Sequence, residues 1–251
     1  MVPKLQVLAL SGSPRPKSFT DKMLTLFLEG MGDTIELHKF YPHRMNIKPC
    51  TSCFSCWMKT PGVCAQKDDM AEILHWFDTA DVIILASPLY VFGFTAQMKT
   101  AIDRIIPIIE CYISTNEKGL SYHKRHHPKE QKMVLISSCG FPELDNFDAL
   151  KQHYLVFANH TGKDAGMLLI SGAGAQNVPQ LFDKKYAALK QAGKELIEFG
   201  AVQQQTMDTI AVEVIDRQLY RDMANAAFKG GLTGNVKTFM KAMQAMKQQQ
   251  K

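Results

Sequence analysis

The chain alternates between short, unbroken apolar runs and longer stretches in which apolar residues return every third or fourth position. Leu5–Leu10 (LQVLAL), Thr34–Phe40, Val82–Ala86 (VIILA), Met133–Ser138 and Met167–Ser171 are of the first kind. Such runs, uncharged and β-branched at Val82–Ala86, predict strands of a buried parallel sheet. Phe19–Gly30 is of the second kind, with Met23, Leu24, Phe27 and Leu28 on one helical face. Helices are also predicted over Asp68–Asp78, Thr95–Ile106, Asp145–His160 and Leu181–Phe199. Asp68 and Asp69 suit the positive end of their helix, and Pro107 bends or ends the one before it. Alternating strands and helices imply an α/β fold, a doubly wound five-stranded parallel sheet with helices on both faces and right-handed crossovers.

Two stretches interrupt the rhythm. Tyr41–Lys67 is irregular and rich in Pro and Cys, and residues 111–131 form a polar insertion. The insertion carries HKRHH at His123–His127, read as a solvated loop. Glu130 is the one nearby carboxylate, and Lys124 and Arg125 would repel a metal cation. Beyond Val202 the character changes. The expected organisation is a domain over 1–202 and a helical extension over 203–251. Within the extension a helix over Asp216–Ala227, a break at Gly230-Gly231 and a Met- and Lys-rich amphipathic helix over Val236–Gln248 read as a docking or dimerisation appendage.

Composition narrows the class. Of 251 residues 46% are hydrophobic, enough for a sizeable core. The longest apolar run, Val82–Ala86, is too short to span a bilayer, and Met1–Leu10 lacks the features of a signal peptide. A cytoplasmic protein without a membrane partner is expected. The net charge of +5 arises from the five lysines after Asp222; before them the chain carries 24 residues of each sign. No basic stripe interleaves with aromatics, so no nucleic-acid partner is expected. Six cysteines in such a compartment argue against a disulfide scaffold.

In an open parallel sheet, ligands bind beyond the carboxyl ends of the strands. SGSPRPKSFT, Ser11–Thr20, follows the first strand and enters a helix. Its hydroxyls, Arg15 and the amides of a helix N-terminus can hold a phosphate. It is neither a Walker loop nor a G-x-G-x-x-G. SPLYVFG, Ser87–Gly93, follows the third strand and is unusually apolar for a loop, as if to meet a flat aromatic ligand. SSCGFPE, Ser137–Glu143, follows the fourth, with Gly140 allowing close backbone approach. Ser171–Asn177 (SGAGAQN) lacks the third glycine of a dinucleotide fingerprint and reads as a turn.

These motifs resemble the flavodoxin-like NAD(P)H-dependent FMN reductases, and among them the iron-sulfur flavoproteins. The resemblance covers about residues 4–200 and rests on G-S-P-R-x-x-S-x-T, S-P-x-Y-x-x-x-x-x-A-x-x-K-x-x-x-D-R and C-G-F-P-E in that order. It implies FMN, with the phosphate on Ser11, Ser13, Arg15, Ser18 and Thr20. Phe19 belongs to the same binding segment and stands where relatives carry a small polar residue. The ring would lie on Pro88, Leu89, Tyr90, Val91, Phe92 and Gly93 and face Ser138, Cys139, Gly140 and Phe141. It further implies NAD(P)H as co-substrate, a small-molecule or redox-protein acceptor, and a homodimer or homotetramer.

PCTSCFSCWMKTPGVC places Cys50, Cys53, Cys56 and Cys64 close together. Closely spaced thiolates can wrap a [4Fe-4S] cluster, with the last returning across the Pro61-Gly62 turn. A four-cysteine zinc site and unliganded thiols stay open beside it. Cys111 and Cys139 are read as non-ligands. The expected function is an FMN-dependent NAD(P)H oxidoreductase passing electrons to a small acceptor or an iron-sulfur cluster. The alternative is a flavin/iron-sulfur electron carrier without turnover. No protein acid or base is required, so no catalytic residue is nominated. From its position, the insertion could overhang the flavin and bring Tyr122 and His123 to substrate.

Overall fold

The computed structural model describes residues 4–232. The elements, in chain order, are β1 (Leu5–Ser11), α1 (Phe19–Met31), β2 (Ile35–Phe40), α2 (Ser55–Met58), α3 (Met70–Thr79), β3 (Val82–Pro88), α4 (Ala96–Asp103), β4 (Ile109–Thr115), β5 (Ser121–Arg125), β6 (Lys132–Ser138), α5 (Asp148–Thr161), β7 (Lys163–Ile170), α6 (Asp183–Phe199), α7 (Gln204–Ala211) and α8 (Arg217–Leu232). Five strands pair in parallel in the order β2-β1-β3-β6-β7. This is the flavodoxin-like order, which switches direction between β1 and β3.

Period-two alternation splits the sheet into two buried faces. Val7, Ala9, Val82, Ile84, Val134 and Ile136 meet Phe27 of α1 and Leu189 and Leu196 of α6. Leu8, Leu10, Ile83, Leu85 and Leu135 meet Ile73 and Phe77 of α3, Met98 of α4 and Tyr154 of α5. Ile210 of α7 joins the first core. α8 lies over the loop after β7, where Met223 packs beside Ala175 and Val178.

Three expectations are corrected. The polar insertion is an antiparallel hairpin, β4–β5, not a loop. Arg125, expected in solvent, is buried because its guanidinium finds acceptors at Asp78, Gln131 and the carbonyls of Phe77 and Thr161. Gly230-Gly231 does not break the last described helix, which runs on to Leu232. The helix expected over Val236–Gln248 lies outside the described residues.

Candidate functional site

Three loops converge at the carboxyl edge of β1, β3 and β6. The first runs from Gly12 into α1. Ser18 caps this helix, its Oγ accepting from the Asp21 amide at 3.1 Å. Among the described residues the amides of Ser13, Lys17 and Ser18 donate to no acceptor. Those of Phe19 and Thr20 open the helix, where no intrahelical carbonyl reaches them. Arg15 is exposed, and its amide donates to the Ser13 hydroxyl at 3.3 Å. Ser11 is engaged elsewhere: its hydroxyl donates to Asp21, which also pairs with Lys39. The Phe19 side chain goes to the core, edge-on to Phe182 at 5.0 Å. A hydroxyl pair, Thr20 and Ser138 at 2.7 Å, links this loop to the end of β6.

In the second loop, Tyr90 and Gly93 exchange both backbone hydrogen bonds at 3.0 Å around a two-residue tip. Val91 and Phe92 at that tip take φ of +46° and +62°. A β-branched residue in the left-handed region stores strain. Both side chains are nevertheless exposed, Val91 at 95%. The loop's base is fixed: the Leu89 amide donates to Ser138 O at 2.8 Å, and the Ser137 hydroxyl donates to Ser87 O at 2.7 Å.

In the third loop Cys139 is buried, which pushes its thiol pKa up, whereas Phe141 is exposed. A side chain at Gly140 would meet nothing within 4 Å, so this backbone faces open space. Behind it, the amides of Gly172, Ala173 and Gly174 donate to the carbonyls of Phe141, Cys139 and Gly140. The turn after β7 therefore buttresses the third loop. α8 adds a second layer: Arg221 pairs with Glu143 at 3.1 Å, and a Cβ on Gly174 would collide with the Tyr220 hydroxyl.

The cysteine segment lies beside α4. Cys50, Cys53, Cys56 and Cys64 all line one small cavity, together with Arg104 and Pro107. Ser52 and Phe54 take φ of +51°, which curls the chain between the cysteines. Serine 55 groups, backbone first, hydrogen-bond the Cys53 sulfur and lower its pKa. Burial, then the neighbouring Cys64, raises that of Cys56. No three His, Cys, Asp or Glu side chains among the described residues are placed to hold a single metal ion.

Sequence reasoning missed Arg104, which organises this segment. Its guanidinium donates to both oxygens of Asp68 at 2.8 and 2.9 Å, to Lys48 O at 2.6 Å and to the Cys64 sulfur at 3.4 Å. Burial alone would raise the Asp68 carboxyl, but bonds from Arg104 and the Lys48 amide hold it below the usual carboxylate range. Asp68 was expected to cap a helix; it does receive the Met70 amide, but its main partner is Arg104. The available signal was the D-R ending the second motif, at a helix end flanked by Ile102 and Ile105. Trp57 was also missed. Its Nε1 donates to Ile109 O at 2.9 Å and its ring lies 4.9 Å from that of His123, so the hairpin is fastened to the cysteine segment.

Comparison with known proteins agrees with this architecture. The family model described as NADPH-dependent FMN reductase matches residues 5–171. The chain belongs to that family. Among curated members it is similar to an iron-sulfur flavoprotein of Archaeoglobus fulgidus, 38% identical over 104 residues, which are 41% of this chain and 46% of that one. It is similar also to an iron-sulfur flavoprotein of Methanocaldococcus jannaschii, 36% identical over 105 residues, 41% of this chain and 53% of that one. The chain thus spans about half the length of these curated relatives. Among solved structures, an FMN-dependent NADH-azoreductase from Bacillus anthracis in complex with FMN shares the fold with a TM-score of 0.59 at 16% identity, over 76% of this chain and 99% of that one. An NAD(P)H:quinone oxidoreductase from Methanothermobacter marburgensis does so with a TM-score of 0.57 at 17% identity, over 77% and 99%. No described helix is long and apolar enough to cross a membrane.

Proposed function

We propose that this chain is an FMN-dependent oxidoreductase that takes electrons from NAD(P)H and delivers them, through a [4Fe-4S] cluster on Cys50, Cys53, Cys56 and Cys64, to an acceptor. The carrying observation is the convergence of three loops at one sheet edge. One offers unengaged amides at a helix N-terminus, one an exposed apolar tip, and one open backbone at Gly140. That donor set fits a phosphate joined to a flat ring. The amides of Ser13 and Ser18–Thr20 would hold the phosphate, with Arg15 as counter-charge. Pro88–Gly93 and Ser138–Phe141 would seat the ring, and the Thr20–Ser138 pair would keep the two loops in register. Bound FMN accepts hydride from a nicotinamide, and the protein contributes position and electrostatics.

The cysteine segment fits a cluster better than one ion. Four cysteines surround one cavity, yet no three acidic, imidazole or thiol groups converge on a single-ion position, as tetrahedral zinc would require. Arg104 supplies a cation and a hydrogen bond to a ligand sulfur, both of which stabilise an anionic centre. A bound cluster passes electrons one at a time. The names of the curated relatives support the same reading. We further propose a cytoplasmic homo-oligomer, in which the exposed Val91–Phe92 tip meets a second copy.

The test is the visible spectrum of anaerobically purified protein, with flavin, iron, sulfide and zinc assayed on the same sample. Flavin with about four irons per chain is expected. Flavin with zinc or no iron refutes the cluster. No flavin after reconstitution refutes the whole reading, and flavin with iron but no NAD(P)H oxidation points to a carrier without turnover.

A further inference from the structure

A groove beside Cys64 is not used by the reading above. It lies between α3, the chain at Pro107-Ile108 and the cysteine segment, and encloses about 850 Å³. That falls within the range of about 300–1,000 Å³ usual for small-molecule sites. Leu74, Pro107 and Ile108 give it flat apolar walls. Its charged groups are mostly answered within the chain: Asp68 by Arg104, and Asp78 by Arg125 and His127. His126 differs. It lines the groove, and its Nε2 is buried without a hydrogen-bond partner. A buried ring nitrogen left unmet is costly, and a ligand oxygen would satisfy it.

Cys64 belongs to two walls at once. It lines this groove and also the small cavity shared by the four cysteines. An occupant of the groove therefore sits against the outer side of the cysteine site. We propose that the groove binds a small planar electron acceptor bearing a ring carbonyl oxygen, of the quinone class. The ring packs on Leu74 and Pro107, and the carbonyl accepts from His126 Nε2. This places the acceptor's site beside Cys64, apart from the edge formed by the Pro88–Gly93 loop. The inference rests on the cluster reading of the cysteine segment. In one turnover NAD(P)H loses a hydride, which is two electrons and one proton. The ring dione takes two electrons and two protons to become the diol, the second proton coming from solvent.

Menadione binding to the oxidised, flavin-loaded full chain, followed by calorimetry, tests this, with Ala71→Trp and His126→Phe as variants. Ala71 is exposed on α3 and lines the groove, so tryptophan there fills it without disturbing the core. Ala71→Trp is expected to abolish one class of menadione site and raise the menadione KM at least tenfold. His126→Phe, losing one hydrogen bond of about 1 kcal/mol, should weaken that site about fivefold. Flavin content, iron content and the rate of flavin reduction by NAD(P)H should match wild type in both. If the Ala71→Trp isotherm superimposes on that of wild type, no acceptor site exists here. If the protein holds flavin but no iron, the cluster reading fails on that assay, while the binding comparison still decides whether the groove takes the ligand.

Discussion

Removing Arg104 should destabilise the fold as well as the cysteine segment. The Arg104 and Asp68 side chains are each 1% exposed and form a two-pronged ion pair. Arg104→Ala leaves the Asp68 carboxylate with only the Lys48 and Met70 amides. Breaking a buried pair by deleting one partner costs about 3–5 kcal/mol, because an uncompensated charge remains. At about 2–4 °C per kcal/mol for a chain of this size, thermal unfolding should fall by about 6–20 °C. Arg104→Lys should recover little, since an ammonium cannot span both carboxylate oxygens and the Cys64 sulfur. Asp68→Asn combined with Arg104→Met should lose less than Arg104→Ala alone, because no charge is stranded. The pair's contribution also depends on pH. The folded carboxyl lies below its ordinary 3.8, so its stabilisation is complete above that value and fades as pH falls beneath it. Melting curves of the four proteins from pH 7 down to pH 3 decide the matter. An Arg104→Ala protein melting within about 1 °C of wild type, on the same scale, would refute the argument.

Two further outcomes follow from single side chains. Burial depresses Lys185 from 10.5 to about 8, while its ammonium donates to the Ile210 and Val212 carbonyls at the end of α7. Between those values the unfolded chain binds more protons, so this group makes stability rise with pH; melting temperatures across pH 8–10 should show the rise in wild type and a flatter profile in Lys185→Met. Val91→Asn should stabilise flavin-free protein by about 0.5–1 kcal/mol, because asparagine tolerates the left-handed region better than a β-branched residue. Urea unfolding with flavin removed measures this, and a loss of stability would show that the tip is not strained.

Much of this was legible in the chain, for a physical reason. β1, β3 and β6 are buried on both faces, so their sequences are unbroken apolar runs. The three loops that follow were found because ligands collect at that edge. β7 was read too short: it begins at Lys163, but Lys163 and Asp164 are polar and a register shift next to Gly166 interrupts the pattern. The β4–β5 hairpin was unreadable because Tyr112, Ile113 and Ser121 are exposed, leaving no alternation between a wet and a dry side. Arg104 was missed for a different reason. A basic residue ending a helix usually only complements the helix dipole, and its partner Asp68 lies 36 residues away. Pairings of that range are invisible to local pattern.

Arg104 also explains how the two candidate centres are held relative to each other. α4 is only eight residues long. Its capping residue, Thr95, donates its hydroxyl to Gly12 O at 2.7 Å and receives the Met98 amide. Gly12 opens the phosphate-type loop, and a side chain there would press on Met98 and Thr95. At the other end, Arg104 holds Lys48, Cys64 and Asp68. One short helix, about 12 Å long at 1.5 Å per residue, is thus anchored by buried hydrogen bonds to both loops. With Met98 and Ala101 fixed in the core between those anchors, neither loop can shift along the helix axis without breaking a buried bond or opening a void. The separation of the flavin edge from the cysteine segment is therefore set by α4, and residues at either end of it should influence electron delivery without touching either centre's ring or sulfide.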